Sequence, residues 1–178
     1  MKVMIRQAVS PDIEYLRNFD HCVKSDCVWQ MSQSINEGQI QTVFNETHLP
    51  REMRVTYTRS PDTLEKRWEN YSLVLVACVD QAPVGYTSIS SLLSPEMIWI
   101  NDLVVDELWR RKGIAMSLFS SIRDWGLERN YSRISLEMSS KNFPAICLAK
   151  KLGFEFTGFN DNYFTNNDIA LFFSRFLK

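Results

Sequence analysis

At 178 residues, 45% of them hydrophobic, the chain is long enough for one domain with a substantial core and too short for two comfortable ones. Its 20 basic and 21 acidic residues are interspersed and sum to −1, which argues against nucleic acid as a partner. No window approaches the roughly 20 apolar residues that span a bilayer, and the N-terminus meets charge before any stretch of signal-peptide length, so a cytoplasmic protein without a membrane partner is expected. Cys22, Cys27, Cys78 and Cys147 form no Cys-x-x-Cys pair, and with only His21 and His48 no metal-ligand spacing is recognisable; reduced cysteines and no metal are expected.

In chain order, Val3 to Ala8 alternates as a first strand. Ser10-Pro11-Asp12 then reads as an N-cap, a proline in the first turn and an acidic residue after it, starting a helix that turns Ile13, Leu16 and Phe19 inward. Residues 27 to 49 alternate apolar and polar about Asn36-Glu37-Gly38, a hairpin signal. Met53, Val55 and Tyr57 lead to Ser60-Pro61-Asp62, a second helix start carrying Leu64 and Trp68. Leu73 to Val79, Val84 to Leu93 and Met97 to Val105 are β-rich runs that read as an antiparallel meander, the first two separated by Asp80-Gln-Ala-Pro83. Helix 113–128, strand 133–137, helix 143–151 and strands near 155–159 and 168–176 complete an α/β order without repeats or linkers.

The run from Asp102 to Ala115 carries the most chemistry. A β-like segment breaks into Arg110-Arg111-Lys112-Gly113 and passes directly into a helix whose Ile114, Leu118, Ile122 and Trp125 share one face. The first N–H groups of a helix lack internal partners and its dipole favours negative charge, so this turn suits a phosphorylated ligand, with Gly113 permitting close approach. Neither a Gly-x-x-x-x-Gly-Lys-Ser/Thr loop nor a Gly-x-Gly-x-x-Gly motif is present, which removes the usual signatures of nucleotide hydrolysis and dinucleotide binding.

Arg-x-x-Gly-x-Ala at 110–115, a strand at 133–137, and Asn-x-x-Ala-x-x-Leu-x-x-Lys-x-Gly-Phe at 142–154 together resemble the acetyl-coenzyme A signature of the GNAT superfamily of N-acetyltransferases. The resemblance implies a single domain over 1–178: a mixed, mostly antiparallel sheet flanked by helices, whose fourth and fifth strands splay into a V-shaped cleft. It further implies acetyl-CoA as cosubstrate, held by the backbone of Leu103, Val104 and Val105 at a bulge, by Arg110, Arg111, Lys112, Gly113, Ile114 and Ala115, and by Asn142, with 97–154 as the cofactor core. Asn142 serves equally as the N-cap of the following helix.

Direct attack by an amine, as in that family, needs a base, because a lysine-type amine of pKa about 10.4 is mostly cationic at neutral pH. Asp102, immediately before the expected bulge, is the first candidate, and Glu137, across the cleft, the second; each also reads as an ordinary strand-end carboxylate. The family's usual tyrosine after the second-motif leucine is Ala149 here. The general acid would then be Tyr163, Cys147, a water or nothing.

Residues 20–70, the expected substrate-side segment, are the least family-like. The 27–49 hairpin, the Asn-x-Pro-Ala-Ile run at 142–146 and Gly-Phe-x-x-x-Tyr at 158–163 are similar to streptothricin acetyltransferases, which modify a lysine-type amino group. A small cationic amine is therefore the expected acceptor. A peptide or protein amine, and a non-catalytic domain that binds acyl-CoA, are the alternatives. A homodimer is the oligomer that the family resemblance suggests.

Overall fold

The computed structural model describes residues 2–91 and 96–177. Nine strands and four helices follow in the order β1 (Met4–Gln7), α1 (Ser10–Arg17), β2 (Val23–Asn36), β3 (Gln39–Val55), α2 (Leu64–Arg67), β4 (Leu73–Val79), β5 (Ala82–Ser90), β6 (Met97–Val105), α3 (Ile114–Glu128), β7 (Arg133–Ser139), α4 (Phe143–Lys151), β8 (Glu155–Asn160) and β9 (Ala170–Phe176). Seven strands form one sheet in the order β1-β4-β5-β6-β7-β9-β8, and β2 pairs with β3 in a separate ribbon. Every pairing is antiparallel except β6 with β7. The expected architecture is present.

Two apolar layers hold the sheet. On one face Ile114, Leu118, Phe119 and Ile122 of α3 and Ile146 and Ala149 of α4 pack on Ile98, Ile100, Ile134 and Leu136. Burying each of the larger side chains contributes roughly 1.5–3 kcal/mol. On the other face Ile13 and Leu16 of α1 and Leu64 of α2 cover Val74, Val76, Tyr86 and Val104.

Local chemistry shifts several element boundaries. The α1 cap is Val9 rather than Ser10: its N–H is satisfied by the Asp12 carboxylate at 2.8 Å. The same carboxylate takes both guanidinium nitrogens of Arg6, at 2.6 and 2.8 Å, which holds it below the usual carboxylate range. Asp80 and Gln81 alone make the β4–β5 turn, because both adopt positive φ (48° and 69°) and Val79 pairs directly with Ala82. The second helix is one α turn between two short 3₁₀ turns. The ribbon begins at Val23 and closes at Val55, longer than the expected 27–49. The expected end of β5 at Leu93 lies outside the described residues.

The feature that makes a cleft is a bulge in β6. Ser88 pairs with Asp102 and Ile89 with Ile100, which leaves Asn101 as the extra residue. Before it, Ile98 and Ile100 point to the α3/α4 layer; after it, Val104 points to the α1/α2 layer, and Leu103 and Val105 now pack toward α3. One inserted residue has exchanged the two faces of the strand. The bulge thus precedes Asp102 instead of following it. The β6–β7 ladder runs from Met97/Arg133 to Ile100/Leu136 and stops, so 101–105 and 137–139 diverge.

Candidate active site

Two cavities occupy the gap between the diverging strands. The larger, about 430 Å³, lies between the end of β6, the α3 N-terminus and α4. The smaller, about 100 Å³, lies between β7, α4 and the 55–59 segment that follows β3. Both are lined by His21, Tyr57, Leu103, Asn142, Ala145 and Leu148, so they meet at that ring of residues.

Most of the expected cofactor residues converge on the larger cavity: Leu103, Val104, Val105, Arg110, Arg111, Gly113, Ile114, Ala115 and Asn142 all line it. Lys112 does not; its ammonium lies 4.5 Å from the centre of the Trp109 ring, where the π face attracts it. Lys151 of α4, unanticipated, supplies a third cation beside Arg110 and Arg111. The turn reaches α3 through Arg111 and Gly113, both at positive φ (64° and 85°), and Gly113 is the N-cap with open space beside it. The Gly113 carbonyl accepts from Ser117, so the N–H groups of Ile114 and Ala115 precede the first intrahelical bond. Three cations and unpaired helix donors suit a phosphate-bearing ligand.

Arg110 is partly committed elsewhere. Its Nε donates to the Val105 carbonyl at 2.9 Å and its Nη2 to the Asp20 carbonyl. The Val105 carbonyl therefore faces the cleft, and the two-residue period of a strand turns the Leu103 backbone the same way. Asn142 caps α4, its Oδ1 accepting from the Ala145 N–H at 3.1 Å, while also lining both cavities.

The smaller cavity is lined by Glu137, Arg59 and Ala149 among others. Arg59 wedges the strands apart: Nη1 donates to the carbonyl of the bulged Asn101, and Nη2 sits 2.5 Å from Oε1 of Glu137. The second Glu137 oxygen accepts from the Tyr163 hydroxyl at 3.1 Å. Tyr163 is 44% exposed and lines neither cavity; burial and then the Glu137 charge raise its pKa. Its hydroxyl is thus tied to Glu137 rather than standing where Ala149 leaves the family tyrosine out.

Asp102 lies apart from Glu137. It is 1% exposed and borders neither cavity, because the bulge has swung it toward the α1/α2 layer. Its carboxylate accepts from Tyr57 and from Ser88, each at 2.5 Å. Burial and the Asp102 charge push the Tyr57 phenol well above its ordinary value, so it stays a donor. His21 is buried too: Nδ1 lies 2.8 Å from the Phe19 carbonyl, which can only accept, so that nitrogen carries the proton and Nε2 accepts from the Tyr86 hydroxyl at 3.1 Å. Burial lowers the His21 pKa. These contacts hold the floor of the cleft and fix the Tyr57 ring at the ring of residues where the cavities meet. Arg59, Tyr57, His21 and Ser88 carried no sequence signal, since each acts on a partner far away in the chain.

Residues 40–154 match the sequence profile of the Acetyltransferase (GNAT) family. The L-amino acid N-acetyltransferase AaaT of Escherichia coli (strain K12) is 32% identical over 99 residues, covering 52% of this chain and 59% of that protein. A streptothricin acetyltransferase of Escherichia coli is 35% identical over 82 residues, 46% of this chain and 47% of the relative. The matches thus span about half of each relative's length. Among solved structures, a provisionally assigned streptothricin acetyltransferase from Bacillus anthracis str. Ames, crystallised with acetyl coenzyme A, superposes with a TM-score of 0.76 at 19% identity, covering 98% of this chain and 99% of that one.

Proposed function

The chain belongs to the GNAT family of acetyltransferases, and from that membership we propose that it transfers the acetyl group of acetyl-CoA to the primary amine of a small cationic molecule. One observation carries the reading: two cavities meet at a single ring of residues, one with three cations and a helix N-terminus, the other with the Glu137 carboxylate. Segment 97–154 then serves as the cofactor core and 20–70 as the acceptor wall.

The residues fit the cosubstrate. Arg111, Lys151 and the first N–H groups of α3 would take its phosphates, and the Leu103 backbone edge and Asn142 would hold its pantetheine arm. When bound, acetyl-CoA supplies a thioester whose thiol, with a pKa near about 8.5, is a tolerable leaving group.

The chain's own contribution is alignment and proton removal. A cavity of about 100 Å³ admits an aminoalkyl arm rather than a whole ligand, since full ligand pockets run to roughly 300–1,000 Å³. Glu137 attracts a cationic amine there and takes its proton, directly or through one water, while Arg59 and Tyr163 fix the carboxylate. Asp102, expected as the base, acts instead on the position of Tyr57. The place of the phenol that Ala149 leaves out is assigned to no side chain. A positioned acid contributes about 10²- to 10⁴-fold, so alignment and the backbone edge of β6 carry the acceleration without it. The names of two curated relatives, with amino acids and streptothricin as acceptors, support a small-molecule amine.

Thiol release from acetyl-CoA against streptothricin-like compounds, diamines, amino acids and short peptides tests this. Turnover confined to small aminoalkyl acceptors is the expected result. Turnover on peptides alone moves the acceptor to proteins, and tight acetyl-CoA binding with no turnover on any amine makes the chain a binding module.

A further inference from the structure

A second set of chemical groups lies outside the cleft, on the β2–β3 ribbon. Cys27 is the direct cross-strand partner of His48, and Trp29 that of Glu46. Glu46 is therefore the diagonal neighbour of Cys27 on the same face as His48, a placement that strand geometry brings within reach of one centre. The Cys27 sulfur, a His48 ring nitrogen and a Glu46 carboxylate oxygen all lie within 4.8 Å of one another. Cys27 is fully buried, whereas Glu46 and His48 are exposed. Among the described residues neither the Glu46 carboxylate nor the His48 imidazole has a hydrogen-bond or ion-pair partner, although the two stand two positions apart on the same face of β3.

The cluster sits at a joint. Ser25 pairs with Met53 but Cys27 with His48, so residues 49–52 loop out opposite Asp26 alone. The ribbon is thereby divided into a short base, whose Val23 and Val55 line the acceptor cavity, and a long arm. The Cys147 thiol of α4 is close by: burial and then the Glu46 charge push it up. Lys150, also on α4, lies over the Trp29 ring with its ammonium 4.5 Å from the centre.

We propose that Cys27, Glu46 and His48 form a divalent metal site of zinc type, with a water as fourth ligand, that clamps the two strands at this joint. A thiolate, an imidazole and a carboxylate match the preference of zinc for tetrahedral sulfur, nitrogen and oxygen ligation. The site assembles through strand pairing, with ligands at 27, 46 and 48 lacking any motif spacing, which is why the sequence offered no metal signature. Binding removes the Cys27 proton to solvent and leaves the metal's oxidation state unchanged.

The test is Co²⁺ titration of the whole chain, read by tetrahedral d–d bands and thiolate-to-metal charge transfer, followed by Zn²⁺ competition. One equivalent of Co²⁺ is expected to give both signals, and Zn²⁺ to erase them. Cys27→Ser abolishes the charge-transfer band, and His48→Ala, at an exposed position that leaves folding intact, weakens Zn²⁺ binding by at least about a hundredfold, since even outer-sphere losses reach that range. Cys147→Ser leaves the band in place. No band with wild type, a band that survives Cys27→Ser, a band lost in Cys147→Ser, or an affinity unmoved by His48→Ala each overturns the proposal. Acetyl-CoA binding of the Cys27 and His48 variants, expected to be unchanged, reports that the fold is intact.

Discussion

The two sides of the cleft are built by different means. On the proposed cofactor side the work falls to backbone and short-range chemistry: a glycine-bearing turn, the N-terminus of α3, an asparagine cap on α4 and the edge of one strand. On the acceptor side it falls to side chains brought together across the fold, such as Arg59 with Glu137, 78 positions apart, and Tyr57 with Asp102, 45 apart. The first kind of site tolerates changes of side chain and keeps its ligand. The second is sensitive to single substitutions, so one scaffold can carry different sites.

Substitutions on the acceptor side should therefore alter stability and acceptor kinetics while sparing cofactor affinity. The largest structural effect is expected at Asp102→Ala, which leaves Tyr57 and Ser88 without their buried acceptor: about 3 kcal/mol of stability is lost, read as a lower denaturant midpoint. Ala149→Tyr fills the smaller cavity, and the acceptor KM rises at least tenfold, about 1.4 kcal/mol, with acetyl-CoA affinity unchanged. A gain of activity in that variant would instead show that the missing phenol limits the wild type.

The His21 contacts give the floor of the cleft a pH signature. Burial depresses the folded pKa of His21 below its unfolded value near about 6.5, so its neutral form favours the fold. That stability is complete above about pH 6.5 and is lost as pH falls toward the folded value, in proportion to the protons the unfolded chain alone takes up. Denaturation curves between neutral and mildly acidic pH should show the decline, and His21→Asn should flatten it. Smallest is Tyr163→Phe. Because the hydroxyl contacts Glu137 at a position 44% exposed, kcat should change by less than about threefold, whereas a general acid at that position would cost about 10²-fold or more.

The same division explains what could be read in advance. The succession of strands and helices along the chain, the α3 turn and the Asn142 cap were legible because each is written in adjacent residues with a known physical role. The ribbon's length was not, since beyond Cys27 and His48 its pairing resumes only after an irregular joint. Nor was the placement of Asp102: the bulge falls at Asn101, before Asp102 rather than after it, and that shift sends the carboxylate to the opposite layer. Alternation in β6 reads identically with or without the inserted residue. Arg59, in a Thr-Arg-Ser-Pro loop, has nothing local to mark it as the wedge between two strands.

The account stands on Glu137 as the group that takes the amine proton. Its most direct test is the steady-state rate of Glu137→Gln on the preferred aminoalkyl acceptor across pH, with acetyl-CoA affinity measured beside it. The account predicts a kcat at least about a hundredfold below wild type near neutral pH, partly recovered at alkaline pH where the free amine is abundant, with cofactor affinity unchanged. A kcat within a few-fold of wild type at neutral pH would contradict it and place the base elsewhere in the cleft.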